Sequence, residues 1–447
     1  GQQVPAVKIG SFSSAAGTPF QGMTKYNQSI LNNPGIKTAP RFGLAWDVFG
    51  NGKTAVRAGF GIFFDRASDD QILQLVQSPP LVTTASANYT TITNLLATPL
   101  SLSPTTVTAV QRDWQPPTVY NWSFGIQQNM GKGFLLDVAY SGNAQRHLLN
   151  TRDLNAVPYG TNFLPSSLDP TTGKAVNSNF LRNYTGYQSI NYLEFAGTAN
   201  YHALQTQLTK RFSNSLTMHF SYAWSKALDL TDGVAGTVNP LLNYRSFDYG
   251  PAAFDRRHVA TISYTYNLPN FSKYWNNKFS RIGFDGWEVS GVTTMQTGAP
   301  SSVSYTLNYS TDLTGATGNG IESRVVLVGD PTAGGPNGQY FNVNAVKAPL
   351  PGYSVNGIGN AAKYFFYGPG LNNWDISIFK NFQWGSNEAR RLQFRLETYN
   401  TFNHTQFTGV DTAAQFNANN QQLNADLGYF TTAAQSRRVV LGLKLYF

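Results

Sequence analysis

The stretch Val439-Val440-Leu441-Gly442-Leu443-Lys444-Leu445-Tyr446-Phe447 alternates without a break. In an extended chain successive side chains point to opposite faces. Val439, Leu441, Leu443, Leu445 and Phe447 therefore share one wholly apolar face, while Val440, Gly442, Lys444 and Tyr446 share the other. Two environments ask for such a strand. A soluble sheet packs the apolar face on a core. A barrel wall in an outer membrane turns it to lipid and the opposite face to a polar lumen. One strand does not choose between them.

Composition favours the membrane. Only 12% of the 447 residues are charged and 14% are aromatic, against about 25% charged in a water-soluble domain. The length exceeds that of one ordinary soluble domain but suits a large barrel. No apolar run reaches the roughly 18 residues of a membrane-crossing helix, and alternating strands produce no such run. The absence of cysteine excludes disulfides, thiolate metal sites and a cysteine nucleophile. The formal charge of +9 is scattered along the chain rather than gathered in blocks. Nucleic acid is therefore not an expected partner, whereas an anionic lipopolysaccharide surface or acidic solutes fit. Gly1-Gln2-Gln3-Val4-Pro5 shows no basic and apolar leader, so the expectation is a mature, trimmed or incomplete N-terminus.

One unit recurs: an alternating strand, a tight turn, a second alternating strand, then a long polar segment. Phe42, Leu44, Trp46 and Val48 lead to Gly50-Asn51-Gly52-Lys53, which is strong hairpin chemistry, and Val56, Ala58, Phe60, Ile62 and Phe64 return. Trp122, Phe124 and Ile126 lead through Asn129–Gly133 to Phe134, Leu136, Val138 and Tyr140. Leu204, Thr206 and Leu208 lead through Ser213-Asn214-Ser215 to Leu216, Met218, Phe220, Tyr222 and Trp224. Ala260, Ile262, Tyr264 and Tyr266 precede a longer turn, about 267–283, and Trp287, Val289 and Gly291. Trp374, Ile376 and Ile378 pair with Leu392, Phe394 and Leu396, and the terminal strand completes the set. The expectation is an all-β, antiparallel transmembrane barrel wall of about eleven strands, each near the 9–11 residues that cross a bilayer. Long segments at about 66–116, 145–198, 229–254, 298–370 and 404–434 alternate with short turns, as extracellular loops alternate with periplasmic turns. Residues 1–39 read as a further extracellular loop segment and 40–447 as the barrel portion.

The strand faces opposite the apolar ones carry Arg57, Asn121, Ser123, Gln127, Asp137, Gln205, Gln207, His219, Glu288, Asp375, Ser377, Gln393, Arg395 and Glu397. That is a wet surface, where a soluble barrel would be filled with apolar side chains. Trp46, Trp122, Trp224, Trp287 and Trp374 fall near strand ends, as interfacial girdles require. The expected outward set is Leu441, Leu443, Leu445, Phe394, Leu396, Ile376 and Ile378; the expected inward set is Lys444, Arg395, Glu397 and Asp375.

Several motifs together resemble a known family. They are Pro40–Asp47, Gly50–Thr54, Gly59–Arg66, Asn200–Gln205, Tyr222–Lys226, Phe254-Asp255-Arg256-Arg257-His258, Gly368–Asp375, Phe394–Glu397 and Tyr399–His404. In this order they resemble TonB-dependent outer-membrane receptors of the Oar-like type, from about residue 40 onward. The ending, with Leu443, Leu445 and Phe447, is similar to the signal by which the barrel-assembly machinery recognises its clients. The resemblance implies a 22-stranded barrel with an N-terminal plug and a TonB-contacting box, often preceded by a carboxypeptidase-regulatory-like domain. This sequence contains neither plug nor box and resembles the C-terminal half of such a barrel. It implies TonB as partner through a plug that is missing here, and an N-terminal barrel half or second chain that completes the wall. Residues 439–447 and about 40–49 are then expected as two open edges, unpaired with each other.

No catalytic constellation stands out, so no enzyme, cofactor or metal is expected. His147, His202, His219, His258 and His404 are dispersed, without zinc spacing. Asp229, Asp232 and Asp248 could gather a calcium ion, but their spacing matches no EF-hand. Phe254–His258 reads as a loop-to-wall tie in preference to a phosphate site, and Arg395 with Glu397 as a charge ladder on the lumen face. The aromatic set Tyr340, Phe341, Tyr353, Tyr364, Phe365, Phe366 and Tyr367 admits ligand stacking, with Tyr340, Tyr353, Tyr364, Phe365, Phe366 and Tyr367 as the candidate contacts; loop packing is the alternative. The function expected is TonB-powered uptake of a bulky solute in the outer membrane, with a passive porin-like or structural barrel and a surface adhesion or assembly protein as rivals.

The terminal aromatic generates the first test. Phe447→Asp is expected to lower the amount of folded protein recovered in outer-membrane fractions while leaving synthesis unchanged. Wild-type recovery would overturn the assembly-signal reading.

Overall fold

The computed structural model describes residues 31–67, 69–77, 85–86, 101–102, 105–184, 187–210, 215–275, 277–309, 312–316, 323–383 and 390–447. Residues 1–30 of the N-terminal segment, turn residues 213 and 214 and part of 66–116 lie outside that set. Eleven strands form one antiparallel meander: β1 (Arg41–Asp47), β2 (Thr54–Phe64), β3 (Thr118–Gly131), β4 (Phe134–Asp153), β5 (Tyr187–Lys210), β6 (Leu216–Asp229), β7 (His258–Asn267), β8 (Trp287–Gln296), β9 (Leu371–Gln383), β10 (Arg391–Tyr399) and β11 (Arg438–Tyr446). Each pairs with its neighbours in the sequence of strands, so spatial order and chain order coincide.

The register carries the alternation across the whole sheet. Leu44 stands opposite Ala58, Ala58 opposite Phe124, Phe124 opposite Tyr140, Tyr140 opposite Leu204 and Leu204 opposite Trp224. From the other edge, Leu441 faces Leu396, then Ile378, Val289, Tyr266 and Leu216. Residues opposite one another share a face, so the rungs build one continuous apolar surface. The alternate rung from Glu397 runs through Ser377, Ser290 and Thr265 to Thr217 and builds a polar surface. The expected outward and inward sets fall on these two faces respectively. A register slip of one residue would put every charge on the apolar side.

The apolar face is not a core. Leu441, Leu443, Leu445, Phe42, Trp46, Phe124 and Trp224 are exposed, as lipid-facing residues are in the absence of lipid. Trp46 and Trp287 sit at the short-turn end, whereas Trp122, Trp224 and Trp374 lie toward the loop end. Lys210, Lys226 and Lys380 depart from the pattern. Lys380 continues the apolar face of β9 between Ile378 and Phe382, yet it is buried.

β1 pairs only with β2 and β11 only with β10. Among the described residues the strand at 438–446 makes no pairing with 41–47. In a bilayer each unpaired backbone group costs several kcal/mol, so both edges call for partners.

Two loop expectations change. The segment 145–198 is shorter, because β4 and β5 stay paired out to Asp153 and Asn191. Above the hydrocarbon no lipid face is needed, so pairing persists while hydropathic alternation fades. An irregularity between Arg146 and Leu149, with His147 at φ 58°, marks the change. Thr105–Val110 adds a parallel partner to β5 there. The segments 298–370 and 404–434 are also not structureless. Val303, Val325, Phe341, Val346, Leu350, Phe366, Phe416 and Leu427 pack into one buried cluster, and Ser304–Leu307 pairs in parallel with Ala413–Phe416. These loops form a cap with its own core at the loop end of the wall.

Leu396→Arg on the apolar face is expected to destabilise the protein in lipid vesicles by about 2–4 kcal/mol. Ser377→Arg, on the polar face opposite Glu397, is expected to change it little. Urea unfolding in vesicles separates the two, and equal penalties would contradict the assignment of faces.

Candidate functional site

Beneath the cap lies an open cavity of about 1010 Å³. Its floor is the turn Leu230–Gly233 that follows β6, and its walls include Tyr305, Tyr309, Asp312, Arg324, Lys363, Tyr364 and Phe365. A second cavity of about 790 Å³ shares that turn and is lined by Arg66, Asn143, Gln145, Phe195 and Tyr201. The Leu230–Gly233 turn is thus a partition between two spaces at the mouth of the wall.

Ion pairs hold the cap to the strands. The Lys363 ammonium donates to Asp229 Oδ1 at 2.6 Å and lies 3.1 Å from Asp232 Oδ2. Tyr364 donates its hydroxyl to Asp232 at 2.9 Å. Asp229 lies at the loop end of β6, beyond the roughly 9–11 residues that cross hydrocarbon. Burial pushes its carboxyl above the usual carboxylate range, and the Lys363 ammonium pulls it back. The three carboxylates considered for calcium are thereby accounted for. Lys363 stands between Asp229 and Asp232 as their cation, and Arg324 binds Asp248 at 3.1 Å. Arg324 also donates to the Phe247 carbonyl at 2.7 Å, and its guanidinium lies 3.7 Å from the centre of the Phe247 ring. Asp312 accepts from the Thr314 and Gly315 amides and from Asn162 Nδ2.

The motif Phe254–His258 ties loop to wall. Asp255 is buried and accepts from the Ala227 amide at 2.7 Å. Its other oxygen accepts from the Tyr367 hydroxyl at 3.1 Å, and that hydroxyl accepts from Arg257 at 2.7 Å. His258 Nδ1 meets the Tyr222 hydroxyl at 2.9 Å on the apolar face. Arg395 and Glu397 pair at 3.2 Å on the polar face.

The candidate aromatics separate into distinct places. Tyr364 and Phe365 line the larger cavity. Phe366 is buried in the cap core, its ring 4.8 Å from Phe341, so it packs the cap and offers no surface to a solute. Tyr340 donates to the Tyr367 carbonyl at 2.9 Å, and Tyr367 is engaged with Asp255 and Arg257. Tyr353 is exposed outside the cavity. The sequence reading missed Tyr305, Tyr309, Arg324 and Lys363. A signal existed for the first two: Val303, Tyr305, Leu307 and Tyr309 alternate inside a segment treated as irregular. For Arg324 and Lys363 there was none, because their carboxylate partners lie over 75 residues away. Leu443 and Leu445, expected as part of an assembly signal, lie on the apolar face of β11 and are exposed, as is Phe447.

Below the cavities run the polar strand faces. Thr217, His219, Ser263, Thr265, Ser290, Asp375 and Ser377 line one groove along them. A wall apolar on one side and hydrated on the other, with a capped mouth, defines an outer-membrane barrel protein. The chain belongs to the outer membrane beta barrel domain family, whose sequence model matches residues 4–440. It is a protein of the Gram-negative outer membrane. No curated protein matches its sequence. Solved structures similar to it include the outer membrane transporter YddB from Escherichia coli, at 11% identity and a TM-score of 0.46, covering 92% of this chain and 40% of that one. The siderophore receptor PirA from Acinetobacter baumannii aligns at 11% identity and a TM-score of 0.43, covering 92% of this chain and 41% of that one. The ferric-catecholate import receptor Fiu from Escherichia coli aligns at 10% identity and a TM-score of 0.39, covering 91% and 34%. The chain thus spans about two-fifths or less of the length of these proteins.

Lys363→Met leaves Asp229 and Asp232 without their shared cation. A hydrogen bond to a charged group contributes about 1.5–3 kcal/mol, so hydrogen exchange in the cap at 323–367 is expected to quicken with the strand amides unchanged. Asp229→Asn is expected to have a larger effect than Asp232→Asn, because Asp229 is the more buried partner. Unchanged exchange in the cap would refute the tethering role.

Proposed function

We propose that this chain is the C-terminal barrel portion of an Oar-like TonB-dependent receptor that imports a bulky solute. The observation that carries the reading is the combination of a capped mouth with an eleven-strand polar-lined wall whose two edges are unpaired. A wall of this width closes when a comparable set of strands joins both edges, and barrels of that size hold a plug in the lumen. The solute binds in the cavity beneath the cap. Tyr364 and Phe365, from the candidate aromatics, stack on it together with Tyr305 and Tyr309. Arg324, Lys363 and Asp232 supply polar contacts. Tyr340, Tyr353 and Tyr367 act outside this pocket, in cap geometry or first encounter. The plug, supplied with the N-terminal barrel half or by a second chain, contacts TonB and moves to open the path along the polar face. Barrel-assembly machinery inserts the wall, and lipopolysaccharide surrounds its upper rim. The chain performs no catalysis of its own and needs no cofactor.

The test is uptake of a panel of ferric siderophores and oligosaccharides by cells carrying the whole protein, with and without TonB. Uptake that disappears with TonB and is weakened by Tyr364→Ala is expected. TonB-independent uptake with steady conductance in planar bilayers would make the protein a passive barrel. Surface binding of a partner without uptake of any panel member would make it an adhesion protein.

A further inference from the structure

The connection between β7 and β8 lies at the short-turn end of the wall and runs over residues 268–286, whereas 48–53 join β1 to β2 and 132–133 join β3 to β4. It carries a helical turn at Phe271–Lys273 and the helix α1 (Lys278–Phe284). Phe271, Tyr274, Trp275, Phe279, Ile282 and Phe284 are all exposed, from 42% for Phe271 to 88% for Phe279. Large aromatic side chains bury about 150–250 Å² each, so this patch far exceeds what a soluble surface carries without a partner. Lys273, Lys278 and Arg281 are exposed beside it, against a single carboxylate, Asp285.

The connection is also built to hold its place. Asn277 caps α1 by accepting from the Ser280 amide at 2.7 Å. The Ser272 amide donates to Asp285 at 3.0 Å and closes the segment on itself. Trp287 Nε1 donates to the Gly283 carbonyl at 2.8 Å. Gly286 sits at φ 73°, where a Cβ would stand 2.6 Å from the Asn381 carbonyl oxygen. Lys380, 3% exposed on the apolar face of β9, donates to the Asp285 carbonyl and lies 5.3 Å from the ring centres of Trp287 and Phe382. Trp287, opposite Lys380 on the apolar face, thus joins the patch to the lipid-facing surface of the sheet.

We infer that the β7–β8 connection is an interfacial anchor that lies in the headgroup region of the periplasmic leaflet and binds anionic phospholipid. Two features select lipid as the occupant. The apolar patch extends a surface that already faces acyl chains. The basic residues flank it as they do on helices that lie in a charged interface. The strength gained is about fivefold per basic residue near an anionic surface. The anchor is independent of what the loop face binds, so its test does not depend on a transported solute.

The chain has no cysteine, so single nitroxide labels report one site each. The whole protein is placed in vesicles of phosphatidylcholine alone or with phosphatidylglycerol, with labels at Phe279→Cys, Ile282→Cys and, as an aqueous control in the cap, Val355→Cys. Oxygen collisions at 279 and 282 are expected to exceed nickel-chelate collisions several-fold, with the reverse at 355. Phosphatidylglycerol is expected to raise that ratio, and Lys273→Gln with Lys278→Gln and Arg281→Gln to abolish the rise. Labels at 279 and 282 as open to the nickel chelate as that at 355 would overturn the anchor. Shielding from both reagents would also overturn it, because it would mean cover by protein. A ratio unaffected by phosphatidylglycerol would refute the anionic preference.

Discussion

A backbone amide or carbonyl inside hydrocarbon has no water to bond, and this constraint organises the molecule. It forces every wall residue into strand pairing, and pairing imposes the period of two that places side chains on alternate faces. Because β1 to β11 pair in chain order, the two-residue period is transmitted from strand to strand in register. The apolar rung from Leu44 to Trp224 and the polar rung from Glu397 to Thr217 follow from that transmission. Stability of the wall rests on hydrogen bonding and on lipid contact, not on an enclosed core.

Outside the hydrocarbon the constraint lifts, and the chain behaves like a water-soluble protein. The only large buried apolar cluster among the described residues lies in the cap, around Phe341, Phe366 and Phe416. Charges appear there as near-buried pairs, Lys363 with Asp229 and Arg324 with Asp248, whereas on the strands Asp375, Arg395 and Glu397 line the wet face. The two halves of the molecule are thus stabilised by different physics, and the cavity sits at their junction. Lys380 shows what happens when a charge is caught on the wrong side. It reaches down to the Asp285 carbonyl and shelters between Trp287 and Phe382, as long basic side chains do near an interface.

The wall was legible in the sequence because lipid demands a local pattern. Leu441, Leu443 and Leu445 announce their face to any reader who counts by two, and the Asn51 and Asn129 turns mark where the direction reverses. The upper parts of β4 and β5 were missed because pairing continues where the demand for alternation stops. The cap was missed for a different reason. Its strands pair across great sequence distance, Ser304 with Ala413, and its core residues Val325, Ala348 and Leu427 have no common period. The aromatics at 364–367 stand out as a cluster in the sequence, yet adjacent residues met opposite fates. Phe365 lines the cavity and Phe366 is enclosed, because neighbours on an extended segment face opposite ways.

The meander has a kinetic consequence for the mouth. Pairings between consecutive strands close short loops and form early, whereas contacts between distant segments wait until the intervening chain is ordered. The cavity draws its lining from residues near 230, 305, 324 and 364, which only the completed β6 to β9 wall brings together. The mouth therefore takes shape later than the strand pairs beneath it. The shape of the cavity is a built-in report that β6 to β9 stand together.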